Sequence, residues 1–373
     1  MTPETSKNIT VVAAMSGGVD SSVAAALLVE QGYNVIGITM KTYEFEDVGG
    51  NIENEASCCG LGAISDARMV AAQLGIPHYV VDFRKAFGRE VVSNFVDEYF
   101  NGRTPNPCVI CNREIKWGEL IRKADSLGAQ YIATGHYARV GYDSTRNRYV
   151  VTQARDTNKD QTYALWALSQ PSLSKTIFPL GNLLKPETRR RAEQLNLRTA
   201  HKQDSYEICF VPDNNYMRFL KEERPEREAE LSGGEIVKNG EVVGRHNGYP
   251  FYTIGQRKGI GSYGERMYVT HIEQETNKIY LGGEPELFHR ELVASKLNLV
   301  SMGPFEGPIR VEAKVRYKDD ATPATLRVED ASNARVIFDE PKRAITPGQS
   351  VVFYRGVELL GGAIIDRVVK EQR

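Results

Sequence analysis

A glycine-rich turn between an apolar strand and a helix constrains the fold of this chain more than any other feature. The turn is SGGVDSS (16–22), and it joins the apolar run ITVVAAM (9–15) to the alanine- and leucine-rich segment SSVAAALLVEQG (21–32). Glycines let the backbone approach an anion closely, and the helix that follows presents unpaired amide groups and the positive end of its dipole. The segment therefore predicts a phosphate-binding loop at the end of the first strand of an α/β domain. The alternative is an ordinary strand-to-helix turn.

Apolar strands and amphipathic helices continue to alternate beyond this turn. Near-continuous apolar strands separated by helices are typical of a parallel sheet covered on both faces. The sequence therefore predicts an α/β fold with a doubly wound parallel sheet, which we place at residues 1–210. The supporting segments are the strands YNVIGITM (33–40), IPHYVVDF (76–83) and AQYIATGHYA (129–138), and the helices ISDARMVAAQLG (64–75) and REIKWGELIRKADSLG (113–128).

The pattern changes after residue 210. GEIVKNGEVVG (234–244) predicts a β-hairpin around an Asn239–Gly240 turn. From about residue 295, short alternating segments separated by Pro and Gly predict an all-β barrel or sandwich. We therefore expect a small central domain with β-hairpins at 211–292 and a C-terminal β-barrel domain at 293–373.

Composition excludes several classes of protein. The 373 residues predict two or three domains, and the absence of an apolar run of about 18 residues argues against a membrane span. Five cysteines, an odd number, do not predict a disulfide framework, and the N-terminal stretch has no apolar signal-peptide core. We therefore expect a cytoplasmic protein. A net charge of −1 argues against a nonspecific nucleic-acid coat but is compatible with a local basic groove.

The glycine-rich turn matches neither the Walker loop nor the dinucleotide fingerprint GxGxxG. Asp20 is unusual there because a carboxylate repels phosphate, so we expect it to hold a phosphate-bridging metal ion or to cap the helix. SGGVDS resembles the pyrophosphate-binding loop of N-type ATP pyrophosphatases. That resemblance implies Mg²⁺ and cleavage of ATP between the α and β phosphates.

Two cysteines, Cys108 and Cys111, form a CxxC pair whose chemistry the local sequence leaves open. The pair could form a zinc site with Cys58 and Cys59, although adjacent cysteines chelate poorly. It could be a redox dithiol, but it lies in what reads as a Pro-rich loop, RTPNPCVIC (103–111). It could also supply a reactive thiol. Cys58 and Cys59 are most simply buried apolar residues.

Charge near Cys111 favours the reactive thiol. Cys111 precedes a predicted helix, and Arg113 and Lys116 follow it closely. Positive charge and a helix N-terminus both lower the pKa of a thiol. Cys209 follows a strand-like segment near Asp204 and Glu207, a context equally compatible with a buried structural cysteine.

Six motifs occur in an order that resembles the tRNA-specific 2-thiouridylases, which replace the 2-oxygen of the wobble uridine with sulfur. The C-terminal PGQSVVFY (347–354) extends the resemblance over almost the whole chain. The motifs are SGGVDSS, RTPNPCVICNREIKWG (103–118), ATGHYAR (133–139), NKDQTYALWAL (158–168), KQDSYEICF (202–210) and YTIGQRKGIG (252–261).

The resemblance implies a reaction and its partners. ATP would adenylate the C2 oxygen of the uridine, releasing pyrophosphate and later AMP. A persulfide on Cys209, loaded by a sulfur-carrier protein or a cysteine desulfurase, would deliver the sulfur. Cys111 matches the catalytic nucleophile and would form a disulfide with Cys209 during turnover. The expected substrates are the anticodon loops of tRNAs for Lys, Glu and Gln, held in part by the C-terminal barrel.

The resemblance also implies binding residues. Those expected to bind ATP are Ala14, Met15, Ser16, Gly17, Gly18, Val19, Asp20, Ser21, Met40 and Gly135. Those expected to contact tRNA are His136, Lys159, Asp160, Gln161, Arg316, Tyr317 and Gln349.

One position departs from the family, and other activities compete with thiolation. The family often has an aspartate where this chain has Cys108, so Cys108, Cys111 and Cys209 could instead hold a [4Fe–4S] cluster with one open iron site. A more distant alternative is an ATP-pyrophosphatase ligase with a small substrate, which would leave the cysteines unexplained. A nucleic-acid-binding module without catalysis is a third, against which the intact loop argues.

Overall fold

The parts of the chain described by the structure, a computed structural model, are residues 8–43, 61–204, 208–227 and 233–369. Cys58, Cys59 and Glu207 lie outside them. Within the described residues, no helix is both long and apolar enough to cross a membrane.

The N-terminal domain contains a five-stranded parallel sheet, as the alternating pattern predicted. Its strands are β1 (Thr10–Ala14), β2 (Asn34–Lys41), β3 (His78–Asp82), β4 (Tyr131–Ala133) and β7 (Thr176–Ile177), in the order β3-β2-β1-β4-β7. β1 pairs with β2 on one side and β4 on the other. The chain therefore changes direction across the sheet between β1 and β4, and the loops after these two strands border a crevice where α/β folds bind ligands.

Helices surround this sheet. They are α1 (Val19–Glu30), α2 (Leu61–Leu74), α3 (Arg84–Phe87), α4 (Ser93–Phe100), α5 (Pro107–Ile110), α6 (Leu120–Ser126), α7 (Gln170–Ser174), α8 (Lys185–Gln194) and α9 (Tyr216–Glu223). A π-helical segment, Gly88–Val92, joins α3 to α4, and a second one, Cys111–Glu119, joins α5 to α6. The doubly wound α/β prediction is confirmed.

The helix around the CxxC pair begins earlier than the sequence suggested. α5 starts at Pro107, and the helical path continues through the Cys111–Glu119 segment into α6. Proline suits a first helical turn because its fixed φ is helical and its missing N–H would have no partner there. The interpretation of RTPNPCVIC as a loop up to Cys111 was therefore wrong, since both Cys108 and Cys111 lie on helical turns.

The segment AQYIATGHYA is not one strand. β4 ends at Ala133, and the chain leaves the sheet before β5 (Ala138–Asp143) forms a hairpin with β6 (Arg148–Gln153). After the break, Gly135 lies so close to the first helix that a Cβ there would be 2.9 Å from the Ser21 amide nitrogen.

The central domain contains the predicted hairpin. β8 (Gly234–Lys238) and β9 (Glu241–His246) are antiparallel and meet at Asn239 and Gly240, whose φ angles are 51° and 83°. Positive φ at both turn residues is the geometry that Asn-Gly favours. β10 (Tyr268–Glu273) and β11 (Lys278–Gly282) complete a sheet of order β10-β11-β8-β9.

The C-terminal domain is a closed barrel. Its strands are β12 (Phe288–Leu299), β13 (Ile309–Lys314), β14 (Thr322–Val328), β15 (Ala334–Arg343), β16 (Ser350–Arg355) and β17 (Glu358–Val369). They follow the order β12-β15-β14-β13-β16-β17, and β12 also pairs with β17. The barrel prediction is confirmed.

The N-terminal domain packs directly on this barrel. The β5–β6 hairpin extends its sheet, because β6 pairs with β17 at Val151 and Leu359. Trp166 is 1% exposed and donates from its indole nitrogen to Ser350 Oγ at 2.9 Å. A Cβ at Gly362 would be 2.6 Å from the Trp166 ring, so glycine is required for this contact. The barrel is thereby fixed beside the segment 158–168.

Candidate active site

The glycine-rich turn forms a compact loop between β1 and α1. Gly17 has a φ of +72°, and a Cβ there would lie 2.1 Å from the Ala63 carbonyl oxygen. The Ser21 hydroxyl donates to the Gly18 carbonyl at 3.1 Å and accepts from the Ser16 amide at 3.2 Å. These contacts hold the turn, while among the described residues only Ser16 Oγ, at 3.6 Å, lies near the missing Cβ of Gly18. The loop is therefore held by internal contacts and has open space at Gly18.

The helix N-terminus at this loop has amides for an anion. Gly18 is the N-cap of α1, and no side chain caps the helix. The first amides of a helix have no intrahelical acceptor and favour negative charge. The arrangement suits phosphate binding, as the loop sequence predicted.

The other residues expected to bind ATP lie around the same crevice. Ala14 ends β1, Met40 lies near the end of β2, and Gly135 follows β4. The Thr39 hydroxyl donates to the Met15 carbonyl at 2.7 Å and so fixes the entry to the loop. Strand order, rather than proximity in sequence, brings these positions together.

Asp20 does not cap the helix, which corrects one of the two roles expected for it. Its carboxylate oxygens both lie 2.7 Å from Lys185 Nζ, and the Tyr137 hydroxyl donates to Oδ1 at 2.9 Å. Burial, together with the negative charge of Asp20, raises the pKa of Tyr137, so its hydroxyl stays protonated and donates. A basic residue far along the chain thus neutralises the carboxylate in the loop.

Lys185 also reaches the segment before Cys209. Lys185 Nζ lies 2.8 Å from Asp204 Oδ1, and Lys159 and Arg189 contact the same carboxylate at 2.7 and 2.8 Å. Burial raises the pKa of Asp204, but hydrogen bonds from Lys159 and Lys185 outweigh it, and the net pKa is lowered. Asp204 is therefore a stable anion among three cations.

The helix that carries Cys111 is joined to the segment after β4. Lys116 Nζ donates to Asn112 Oδ1 at 2.9 Å and lies 3.5 Å from His136 Nε2. Because an ammonium only donates, Nε2 accepts, and the Nδ1 proton of His136 is directed to the Thr134 hydroxyl at 2.7 Å. Lys116 thus links the helix that carries Cys111 to His136, while Arg113 pairs with Glu114 at 2.6 Å.

Cys111 and Cys209 pack against one hydrophobic core. Both are partly buried beside the same cluster. Phe210 packs edge-on against Phe87 of α3 and Phe95 of α4, at ring-centroid distances of 5.6 and 5.1 Å. The Cys111–Glu119 segment contacts α3 as well. The Cys111–Glu119 segment and Phe210, the neighbour of Cys209, therefore share contacts with α3 although they are about a hundred positions apart in sequence.

The three cysteines Cys108, Cys111 and Cys209 differ in their exposure to solvent. Cys108 is exposed, whereas Cys111 and Cys209 are partly buried. Among the described residues, no group of three or more His, Cys, Asp or Glu side chains is arranged to hold a metal ion. The [4Fe–4S] alternative stays a prediction, and the zinc alternative involves Cys58 and Cys59, which are outside the described residues.

Residues expected to contact tRNA fall into an exposed and an internally bonded group. The Arg316 side chain is 43% accessible to solvent, and Tyr317 is 45% exposed. Asp160 and Gln161 instead accept from the backbone amides of Ala154 and Tyr137, at 3.0 and 2.9 Å. The first two can meet RNA directly, whereas the last two shape the segment that would present Lys159.

Gln349 supports the segment before the helix that carries Cys108 and Cys111. Its side-chain amide donates to the carbonyls of Thr104 and Pro105, at 3.0 and 2.8 Å. Thr104 in turn donates its amide to the Pro347 carbonyl at 2.9 Å. The barrel therefore fixes the segment that leads into Cys108 and Cys111.

The partly buried His136 predicts a pH dependence of stability. Burial, and then the charge of Lys116, lowers its pKa well below 6.5. The folded protein keeps His136 neutral where the unfolded chain protonates it, so its contribution is complete above about pH 6.5 and is lost as pH falls. The expected loss is about 1.4 kcal/mol per pH unit below the unfolded pKa. The free energy of unfolding, measured with denaturant, should fall less steeply between pH 6.5 and 5 for His136→Gln than for the unaltered protein.

His201→Gln is the matched control, because the His201 side chain is 87% exposed. It should keep the pH dependence of the unaltered protein. Equal slopes for all three proteins would contradict a neutral His136.

Comparisons with known proteins place this site in a class. The N-terminal domain matches the profile described as the tRNA methyl transferase HUP domain over residues 9–213. The corresponding PRC-barrel profile matches 217–283, and the aminomethyltransferase beta-barrel profile matches 289–365. The class is therefore a HUP-domain protein of the ATP-using PP-loop type with two appended β domains.

Relatives define the family more closely. The tRNA-specific 2-thiouridylase MnmA of Salinibacter ruber is 51% identical over 366 residues, 97% of this chain and 96% of the relative. The protein of the same name from Cytophaga hutchinsonii is 49% identical over 98% of this chain and its own full length. The chain belongs to the tRNA-specific 2-thiouridylase family. A solved U34-tRNA thiolase of Methanococcus maripaludis with its [4Fe-4S] cluster matches 59% of this chain and 67% of its own, at 23% identity and a TM-score of 0.35, too distant to bear on function.

Sequence reasoning missed Lys185, Asp204 and Tyr137 as parts of the site. Tyr137 lies inside the quoted ATGHYAR motif, and Asp204 lies inside KQDSYEICF. Those motifs were signals that could have found both. Lys185 stands at the start of a charged helix and had no such signal.

Proposed function

We propose that this protein is a tRNA-uridine 2-sulfurtransferase that forms AMP. Family membership supports the reaction class. The single observation that carries the proposal is the path of segment 134–137. It packs on the nucleotide loop at Gly135 and contacts the Cys111 helix at His136. One segment therefore joins the loop suited to phosphate to the helix that bears a thiol.

In the proposed reaction, ATP activates the uridine. The C2 oxygen attacks the α phosphate, a C2–O–AMP bond forms, and pyrophosphate leaves. The loop residues 14–21, with Met40 and Gly135, bind ATP, and Asp20 is the loop carboxylate that could assist Mg²⁺ once it releases Lys185. Adenylation removes the need to expel hydroxide from C2.

Sulfur transfer then uses the two thiols in sequence. The terminal sulfur of a Cys209 persulfide attacks C2 and expels AMP, which leaves the uridine joined to Cys209 through a disulfide. The Cys111 thiolate attacks the Cys209 sulfur, releasing 2-thiouridine and forming a Cys111–Cys209 disulfide. An external dithiol reductant restores both thiols. A sulfur-carrier protein or a cysteine desulfurase supplies the persulfide sulfur, and the tRNAs are those for Lys, Glu and Gln.

The barrel and nearby basic side chains hold the tRNA in this proposal. The wobble base lies in a single-stranded loop, so it can enter a pocket without breaking a duplex. Arg316 offers a phosphate contact and Tyr317 a stacking surface. We propose domain limits at residues 210 and 292, so that the barrel acts as one tRNA-binding unit.

The proposal is tested by nucleoside mass spectrometry. Unmodified tRNA is incubated anaerobically with the protein, Mg-ATP and a persulfide donor. We expect 2-thiouridine together with AMP. If the protein binds tRNA and the donor is competent, the absence of 2-thiouridine would contradict the proposal and favour another adenylated substrate.

Asp20→Ala should impair ATP use and leave tRNA binding intact. The substitution removes the loop carboxylate and one partner of Lys185, and neither group is expected to contact RNA. We expect pyrophosphate release with tRNA to fall by about tenfold or more, a change in barrier of at least about 1.4 kcal/mol. Filter binding should give an unchanged tRNA affinity.

Asp125→Ala is the control for this prediction. Asp125 pairs with Lys175 at 2.6 Å, and the side chains are 47% and 40% exposed. Its removal should leave pyrophosphate release within about twofold, since exposed pairs contribute little. Normal ATP turnover in Asp20→Ala would count against the loop assignment.

A further inference from the structure

We propose that Asp204 is a positioning residue that ties residues 200–204, which precede Cys209 in the sequence, to the nucleotide loop through Lys185. The inference rests on the proposed function in two respects only: residues 16–22 bind the nucleotide, and Cys209 carries the sulfur. It adds a route by which nucleotide binding at residues 16–22 affects the reactivity of Cys209.

Lys185 is shared between two carboxylates. Its Nζ lies 2.7 Å from each oxygen of Asp20 and 2.8 Å from Asp204 Oδ1. An ammonium has three protons to donate, and these three oxygens can take all of them. The Lys185 side chain is 9% exposed and that of Asp204 is 15% exposed, so water does not readily replace either partner. Movement of Lys185 relative to one carboxylate therefore disturbs the other.

Asp204 also anchors residues 200–204 through hydrogen bonds to basic side chains. Lys159 donates to Oδ2 at 2.7 Å, and Arg189 donates to Oδ1 at 2.8 Å. Arg189 further donates to the carbonyls of Ala200 and Lys202, both at 3.0 Å. Residues 200–204 are thus tied to α8, and Cys209 follows five positions after Asp204. The carboxylate fixes where the chain toward Cys209 begins.

Nucleotide binding must act on this arrangement. Phosphates at the loop compete with Asp20 and Asp204 for the Lys185 ammonium. Removing one partner of a buried ion pair leaves a poorly compensated charge, so the segment at Asp204 responds when Lys185 is drawn away. By linkage, the position of the Cys209 segment and the affinity for nucleotide affect each other equally. Lys159, which is expected to contact tRNA, pairs with the same Asp204 carboxylate.

The test measures the reactivity of Cys209 rather than thiolation. The full chain is treated with iodoacetamide, with and without a non-hydrolysable Mg-ATP analogue, and the peptide containing Cys209 is quantified by mass spectrometry. We expect the analogue to accelerate alkylation of Cys209 about tenfold, within the usual range of coupling between two sites. Asp204→Asn should react rapidly without nucleotide and change by less than about twofold when the analogue is added. Its affinity for the analogue should rise, because Lys185 has lost a competing partner.

Arg191→Gln is the matched control. It lies on the same helix and removes an ion pair to Glu30, at 2.6 Å, that does not involve Asp204. It should keep the nucleotide response of the unaltered protein. A purely structural role for α8 charges would change both variants alike.

Two results would overturn the inference: Asp204→Asn keeps the nucleotide response of the unaltered protein, or the unaltered protein shows none while binding the analogue. Lys185→Gln breaks the same bridge and decides the matter if Asp204→Asn does not fold. The proposed function fails separately, when the unaltered protein does not bind the analogue or forms no 2-thiouridine. Loss of nucleotide binding would end both proposals.

Discussion

Cys209→Ser should abolish 2-thiouridine formation and leave ATP-dependent adenylation of tRNA detectable. Serine cannot carry a persulfide, so no sulfur reaches C2. The substitution should not change the nucleotide loop. Cys209 packs against the hydrophobic core, where its neighbour Phe210 contacts Phe87 and Phe95. We expect thiolation to fall below detection, at least about 10³-fold, which corresponds to about 4 kcal/mol. Nucleoside mass spectrometry and release of pyrophosphate measure the two steps.

Cys108→Ser is the control that separates the two mechanisms. Cys108 is exposed, and the described residues hold no group of three metal-binding side chains that includes it. The persulfide route therefore predicts thiolation within a few-fold of that of the unaltered protein. Equal loss in Cys108→Ser and Cys209→Ser, with iron in the purified protein, would favour the cluster. Loss of adenylation in Cys209→Ser would refute the division of labour between loop and thiol.

Gly17→Ala should abolish ATP use. The residue has a φ of +72°, which costs an L side chain about 1–2 kcal/mol. The added Cβ would also stand 2.1 Å from the Ala63 carbonyl oxygen, and backbone there cannot yield without moving α2. The loop must shift, and the amide groups at the start of α1 are then no longer oriented toward the phosphates. We expect pyrophosphate release to fall by about 10²-fold or more, since misplacement by about 1 Å costs that much.

Gly62→Ala is the matched control because Gly62 lies beside Ala63 on α2, and a Cβ there meets no described residue within 4 Å. It should leave pyrophosphate release within about twofold and should not lower stability, since alanine favours a helix over glycine. Circular dichroism shows whether Gly17→Ala is folded. A folded Gly17→Ala variant with normal ATP turnover would contradict the loop as the phosphate site.

Local sequence was sufficient for elements whose stability is local. The Asn239–Gly240 hairpin follows from two residues that tolerate positive φ. The β1–loop–α1 unit follows from an apolar strand, glycines and a helix former within residues 9–32. The helix start at Pro107 was missed, because the prolines of RTPNPCVIC read as loop although one of them occupies the first helical turn. The strand predicted through Gly135 was wrong. Gly135 approaches Ser21, which is remote in sequence, and local sequence does not show such a contact.

The sequence by itself determined the family and the fold class, and it predicted the phosphate-binding loop and the reactive thiols. Each of these depends on residue types at fixed spacing, which a chain displays before it folds. Only the tertiary structure decided that Lys185 joins Asp20 to Asp204, and that Gln349 supports the segment before the CxxC helix. Ion pairs and hydrogen bonds act over a few ångströms, so partners separated by a hundred or more positions are set by the path of the chain. Strand order and the packing of the barrel fix that path.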